Sequence, residues 1–245
     1  MNDTVAEVLD GRSRWAVVHG DALDVMRGLP DGCVDAVVTD PPYNAINRAT
    51  GGLRSLDKGV ADSAPIDIPA LADEFWRLAR ESFYVWCSDE QYSAWCNAFK
   101  AKGATTRKCV WWKSNPSPMN GENLWMSAVE LCVFARKPKA TFNLHCAHPV
   151  WREPVESGDI DHPTPKPVSL MCRQLLASLP PNGFVLDPFA GSGSTGVAAV
   201  DSGYRFIGIE REAAYVDIAR RRIADAAAQG NLFHDETAAR GGGGE

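Results

Sequence analysis

Two stretches of this chain combine residue types that do chemistry with a spacing that can aim them. The first is Asp40-Pro41-Pro42-Tyr43. It follows an apolar run, 34–39, that reads as a buried parallel strand. Two prolines end that strand, because neither can donate a backbone hydrogen bond. Asp40 is therefore expected at a strand's carboxyl end, where open α/β sheets place their ligands. A carboxylate, the Pro41 carbonyl and the Tyr43 ring together suit a planar group carrying an NH2. The oxygens accept its two N–H bonds and the ring offers a stacking face. On the tetrapeptide alone, a turn in which Asp40 only caps the next segment explains the residues equally well.

The second stretch is Gly191-Ser192-Gly193-Ser194-Thr195-Gly196, a G-x-G-x-x-G run between the short strand 184–187 and a small-residue helix. Glu210 follows 19 residues after Gly191, at the end of the next strand. Glycines let backbone approach a ligand, and the later carboxylate can accept the hydrogens of a ribose diol. This run serves a dinucleotide or S-adenosylmethionine equally well. Its late position separates them. One strand and one helix remain after it, so the rest of the sheet has to come from upstream. That places the Asp40 strand in the same sheet and both loops at the same edge.

The intervening elements are legible from their patterns. Strands are expected at 15–18, 82–87, 105–112, 130–136 and 204–209. Helices are expected at 22–29, 68–81, 89–102, 167–179 and 213–228. The stretch 44–67 lacks periodicity and reads as a lid over the substrate. The stretches 140–163 and 229–245 read as irregular and as a disordered tail. His145, Cys146 and His148 do not have zinc-site spacing, so no metal is expected.

Bulk properties bound the class. At 245 residues and 45% hydrophobic composition, a single α/β domain over 1–228 is expected. No apolar run is long enough to span a membrane. Seven scattered cysteines suggest reduced thiols and a cytoplasmic setting. The net charge is −6, yet Lys100 to Lys139 holds eight basic residues against two acidic ones. A basic segment on an acidic body is compatible with a phosphate-facing surface, or with a solvated lysine-rich face.

Asp40-Pro41-Pro42-Tyr43, followed late in the chain by Asp187-Pro188-Phe189-Ala190-Gly191-Ser192-Gly193, resembles the DNA amino-methyltransferases that modify exocyclic amines. The catalytic motif precedes the cofactor motif, as in the permuted beta group of that family. The resemblance spans most of 15–225. It implies a Rossmann-like, seven-stranded, mostly parallel sheet with helices on both faces. It implies S-adenosylmethionine as cofactor and double-stranded DNA as partner, with no membrane role and a possible homodimer. By that likeness Asp40, Pro41, Pro42 and Tyr43 are catalytic. Asp21, in Gly20-Asp21, would approach the cofactor's adenine. Thr164 and Lys166, in Thr164-Pro165-Lys166-Pro167, would line its methionine end. Asp187, Phe189, Gly191, Gly193, Ser194, Thr195 and Glu210 complete the implied cofactor set. Arg48, Arg54, Lys113 and Asn115 are the implied DNA contacts, the last two from the strand-end motif Trp112-Lys113-Ser114-Asn115. Recognition segments are small, at 115–128 and 140–163. An Asp at the first motif position goes with adenine N6 in resembling enzymes, and a Ser with cytosine N4. The rival readings are cytosine N4, RNA or a protein amide, an NAD-dependent oxidoreductase on the glycine run, and a noncatalytic DNA-binding relic.

Overall fold

The fold is described from a computed structural model, which covers residues 3–43, 66–118, 122, 125–155 and 165–240. Arg48, Arg54, Thr164, most of the expected lid and parts of both recognition segments lie outside these residues.

The run Val34–Thr39 forms strand β2, and all six of its residues are buried. β-Branched residues with no polar face suit a strand covered on both sides. β2 pairs in parallel with β3 (Ala79–Cys87) on one side and β7 (Phe184–Asp187) on the other. Outward from β7 lie β8 (Arg205–Glu210) and β1 (Trp15–His19), both parallel. Outward from β3 lie β5 (Val129–Arg136), β4 (Thr105–Lys113) and β6 (Val150–Glu153). β5 runs antiparallel to both its neighbours; the other seven strands share one direction.

The sheet thus has eight strands, not seven. The additional strand is β6, from a segment expected to be irregular. It has four residues and no continuous apolar face, so its pattern is weak. Tertiary contacts define it instead. The Trp151 ring packs 6.1 Å from that of Trp86, and the Trp111 indole N–H donates to the Glu153 carbonyl at 2.9 Å.

Helices cover both faces. On one side α2 (Ala22–Arg27), α3 (Ile68–Leu78) and α4 (Asp89–Ala101) bury Met26, Leu71, Phe75, Trp95 and Phe99. Their N-termini are capped by Asp21, Asp67 and Ser88, each accepting a backbone N–H. A helix not read from the sequence, α1 (Asp3–Leu9), adds Val5 and Val8 to this core. On the other side lie α5 (Val168–Ser178), α6 (Ser194–Asp201) and α7 (Ala213–Arg240). α7 continues to Arg240, past its expected end at 228, so 229–240 are helical where a disordered tail was expected. Among the described residues no helix is long and apolar enough to cross a membrane.

The chain leaves β7 toward β8 and leaves β2 toward β3, in opposite directions across the sheet. The carboxyl ends of β2 and β7 therefore flank a topological switch point, where such sheets open a crevice. Asp40 follows β2 and the glycine loop follows β7.

Candidate active site

The crevice holds a cavity of about 240 Å³. Asp40 and Pro42 line it from the β2 end, and Asp187, Phe189, Gly191, Ser192, Ser194 and Thr195 from the β7 end. Asp21 and Glu210 close one side, and Trp86 and Lys166 another. The two motifs are 148 residues apart in sequence, judged by Thr39 and Asp187, yet the Thr39 hydroxyl donates to Asp187 Oδ1 at 2.7 Å.

The glycine loop is shaped from its own neighbourhood. Gly191 and Gly193 adopt φ of 51° and 84°, a left-handed conformation that side chains resist. A Cβ on Gly193 would sit 3.0 Å from Ala219 Cβ in α7. One on Gly196 would sit 2.3 Å from Ile223 and 2.7 Å from Phe206. The second and third glycines thus let α6 lie against α7 and β8. The Glu210 carboxylate accepts the N–H groups of Gly191 (2.9 Å) and Glu212 (2.8 Å). Asp187 accepts the Thr39 hydroxyl, the Thr195 hydroxyl at 2.6 Å and the Phe189 N–H at 3.1 Å. Burial pushes its carboxyl up to about 6, against the lowering effect of those bonds. Ser194 Oγ is buried, lines the cavity and has no protein hydrogen-bond partner. A cradle of left-handed glycines, an orphan hydroxyl, and Asp21 and Glu210 at its rim fit a nucleoside with a polar tail.

The Asp40 side is built from charges. The Tyr43 hydroxyl donates to Asp40 Oδ1 at 2.7 Å, and Lys166 Nζ donates to Oδ2. Lys166 Nζ also lies 3.0 Å from Glu130 Oε2, and Lys113 Nζ lies 2.6 Å from Glu130 Oε1. The result is an alternating chain, Asp40–Lys166–Glu130–Lys113, in which Lys166 is the most buried member. The ammonium of Lys166 rests between the rings of Tyr43 (5.4 Å) and Trp86 (5.5 Å). Burial alone would lower the Lys166 pKa, but Asp40 and Glu130 outweigh it and hold the ammonium above the ordinary lysine range. Burial likewise opposes ionisation of Glu130, yet the two lysines bring it down to about 2. Burial, reinforced by Asp40, holds the Tyr43 phenol well above its usual value. Gln91, buried in α4, donates to the Pro42 carbonyl at 3.1 Å and ties down the loop.

Comparison with known proteins places this geometry. The model of the DNA methylase family, N6_N4_Mtase, matches residues 34–221. The chain belongs to this DNA methylase family. The methylase is 29% identical to the type II methyltransferase M2.DpnII of Streptococcus pneumoniae, over 86% of this chain and 90% of that protein. It is 28% identical to M2.LlaDCHI of Lactococcus lactis subsp. cremoris, over 87% and 91%. Among solved structures, the M1.HpyAVI–SAM complex superposes with a TM-score of 0.67 at 28% identity, covering 85% of the methylase and 98% of that chain. The cytosine-N4-specific PvuII methyltransferase gives 0.68 at 17% identity over 89% and 93%, a likeness of fold alone.

Within the methylase, several of the expected site residues have protein partners. Lys166, expected at the cofactor, lines the cavity and also bonds the Asp40 carboxylate. Lys113, expected at DNA, turns inward to Glu130. Asn115 donates to the Val155 carbonyl at 3.2 Å and accepts the Val155 N–H at 2.6 Å, so its amide braces the chain after β6. Asp187 lines the cavity, but its oxygens serve the two threonine hydroxyls. Pro41 and Tyr43 do not line the cavity wall; the Tyr43 ring packs at the edge of the core. Glu130, Gln91, Thr39 and Trp86 were not singled out by sequence. Glu130 carried a usable signal: a lone acid in an apolar strand requires a buried cationic partner.

Proposed function

We propose that this DNA methylase transfers a methyl group from S-adenosylmethionine to the exocyclic N6 amine of adenine in double-stranded DNA. The observation that carries the reading is the shared cavity, with the glycine loop on one wall and the Asp40 carboxylate on another.

S-adenosylmethionine, when bound, supplies an electrophilic methyl on a sulfonium sulfur. The glycine loop, Ser194, Asp21 and Glu210 are the residues that would hold it. The methylase's own task lies with the amine. The lone pair of an exocyclic amine is delocalised into the ring, so the nitrogen is a poor nucleophile. Asp40, on the cavity wall, accepts an N–H of the amine and favours a pyramidal nitrogen with a localised lone pair. Asp40 then stabilises the positive charge that develops on nitrogen, an electrostatic and orienting role. Asp40 need not be a strong base, because the nitrogen turns acidic only as the new bond forms. A base stacked in the duplex cannot reach Asp40 inside this crevice, so the target leaves the helix to react. Trp86, whose indole N–H is buried without a protein hydrogen-bond partner, lines the pocket it would enter. The choice of adenine follows the aspartate at the first motif position. All seven cysteines are free thiols, which supports a reducing, cytoplasmic setting.

The test is incubation with S-adenosylmethionine and unmethylated DNA, then mass spectrometry of the nucleoside digest. N6-methyldeoxyadenosine is expected. N4-methyldeoxycytidine would keep the chemistry and overturn the base; methylation of RNA alone would overturn the substrate.

A further inference from the structure

Both oxygens of the acceptor proposed for the amine have protein donors. Asp40 Oδ1 receives the Tyr43 hydroxyl and Oδ2 receives the Lys166 ammonium. This arrangement suits the resting protein, because it neutralises a carboxylate in a half-closed crevice. It does not suit the reaction. Methyl transfer makes the amine nitrogen positive, and a cation bonded to the same carboxylate opposes that charge. The Lys166 bond therefore has to slacken as the amine arrives.

A second seat for the ammonium is present. Glu130 Oε2 is buried and ion-paired with Lys166 Nζ at 3.0 Å, so the ammonium lies between two carboxylates. Glu130 Oε1 is held by Lys113 at 2.6 Å, so the carboxylate is fixed with its other oxygen toward Lys166. Lys166 is clasped between the Tyr43 and Trp86 rings. A reorientation of its ammonium, without a swing of the side chain, exchanges one acceptor for the other.

We infer that Lys166 is a placeholder cation: it occupies the Asp40 acceptor position until the target amine displaces it from Asp40, leaving it on Glu130, with which it is already paired. Lys166 and Glu130 are positioning residues that control when Asp40 is available. The inference rests on the reading of Asp40 as the amine's acceptor. It also links the site to the stretch that follows Lys113, since Lys113 ends β4 and holds Glu130 in place.

The experiment is a suppressor cycle on the full chain, with tritiated methyl transfer to unmethylated genomic DNA and calorimetric binding of S-adenosylmethionine. Glu130→Gln removes the charge of the second seat and leaves Lys166 on Asp40. The KM for DNA should rise roughly tenfold or more, the range lost with one hydrogen bond to a charged group, while cofactor affinity holds. Adding Lys166→Met to Glu130→Gln removes the placeholder, and the double variant should turn over several-fold faster than Glu130→Gln alone. A double variant no faster than Glu130→Gln would overturn the inference. So would a Lys166→Met protein whose loss of turnover is matched by its loss of cofactor affinity, because Lys166 would then be a cofactor ligand. If Glu130→Gln fails to fold, Glu130→Asp withdraws the seat while keeping its charge, and the same suppression is expected. Asp40→Ala separates the two levels. An active Asp40→Ala protein defeats the underlying reading, whereas an inactive one without suppression defeats the placeholder alone.

Discussion

The loops after β7 and after β2 meet at one crevice and are held in different ways. The glycine loop is fixed by neutral contacts: hydroxyls on Asp187, backbone N–H groups on Glu210, and close approach of Gly193 and Gly196 to α7. The Asp40 loop is fixed by ions, with Lys166, Glu130 and Lys113 following Asp40 in alternation. Carboxylates on the first side are consumed as struts, and the pocket gains shape. Carboxylates on the second side are paired with cations, and one of them, Asp40, stands on the cavity wall. Rigid recognition and paired charge are thus placed on adjacent strands of one sheet.

Steric change should break the first side most. Gly196→Val forces a branched side chain into the space of Ile223 and Phe206, and overpacking of this kind costs about 3 kcal/mol. Denaturant unfolding measures it, and a loss under about 1 kcal/mol would mean that α6 and α7 pack more loosely than described.

The next effect is a pH dependence carried by Asp187. Its carboxyl keeps its proton up to about 6 in the folded chain, against 3.8 ordinarily. The folded state therefore binds the extra proton between those values, so stability falls as pH rises from about 4 to about 6 and then levels. The decline amounts to about 2–3 kcal/mol at 1.36 kcal/mol per unit. Asp187→Asn should flatten this part of the melting-temperature profile. Glu130 acts with the opposite sign at lower pH. Its contribution is present above its ordinary 4.5 and disappears as pH falls toward about 2, so that limb should remain in Asp187→Asn.

Gln91→Leu sharpens the contrast from the ionic side. It removes the donor to the Pro42 carbonyl without touching the glycine loop. Turnover should fall roughly tenfold with cofactor affinity intact, the effect of one buried hydrogen bond lost from a positioning loop. A matching loss of cofactor affinity in calorimetry would show that the two sides are not independent. The smallest effect is expected for Asp21→Ala, which removes the cap on Leu23 and Asp24 N–H at a cost of about 1 kcal/mol in thermal unfolding.

Much of this frame was legible in the sequence, because its causes are local. Prolines end β2, glycines open the turn after β7, and uninterrupted apolar runs mark the buried parallel strands. The late position of the glycine run, with one strand and one helix after it, already requires both motifs to share one sheet edge. What was not legible depends on pairs distant in sequence. Lys166 lies 126 residues from Asp40, and nothing near either residue specifies that they meet. Lys113 belongs to a basic segment and reads as phosphate-facing until Glu130 is found beside it. Asp187 reads as a ligand group until Thr39 and Thr195 supply its hydrogens. β6 has too few residues to show a period, and tryptophan packing defines it. The last turns of α7 begin at Gln229-Gly230-Asn231 and precede a run of four glycines, which concealed a helix reaching Arg240.

The central claim is that Asp40 receives the target amine while the glycine loop independently holds the methyl donor. The most direct measurement is tritiated methyl transfer to unmethylated DNA by Asp40→Ala, with S-adenosylmethionine binding measured on the same protein. The account predicts transfer lost and cofactor affinity kept. Transfer at the wild-type rate would contradict it by removing Asp40 from the reaction.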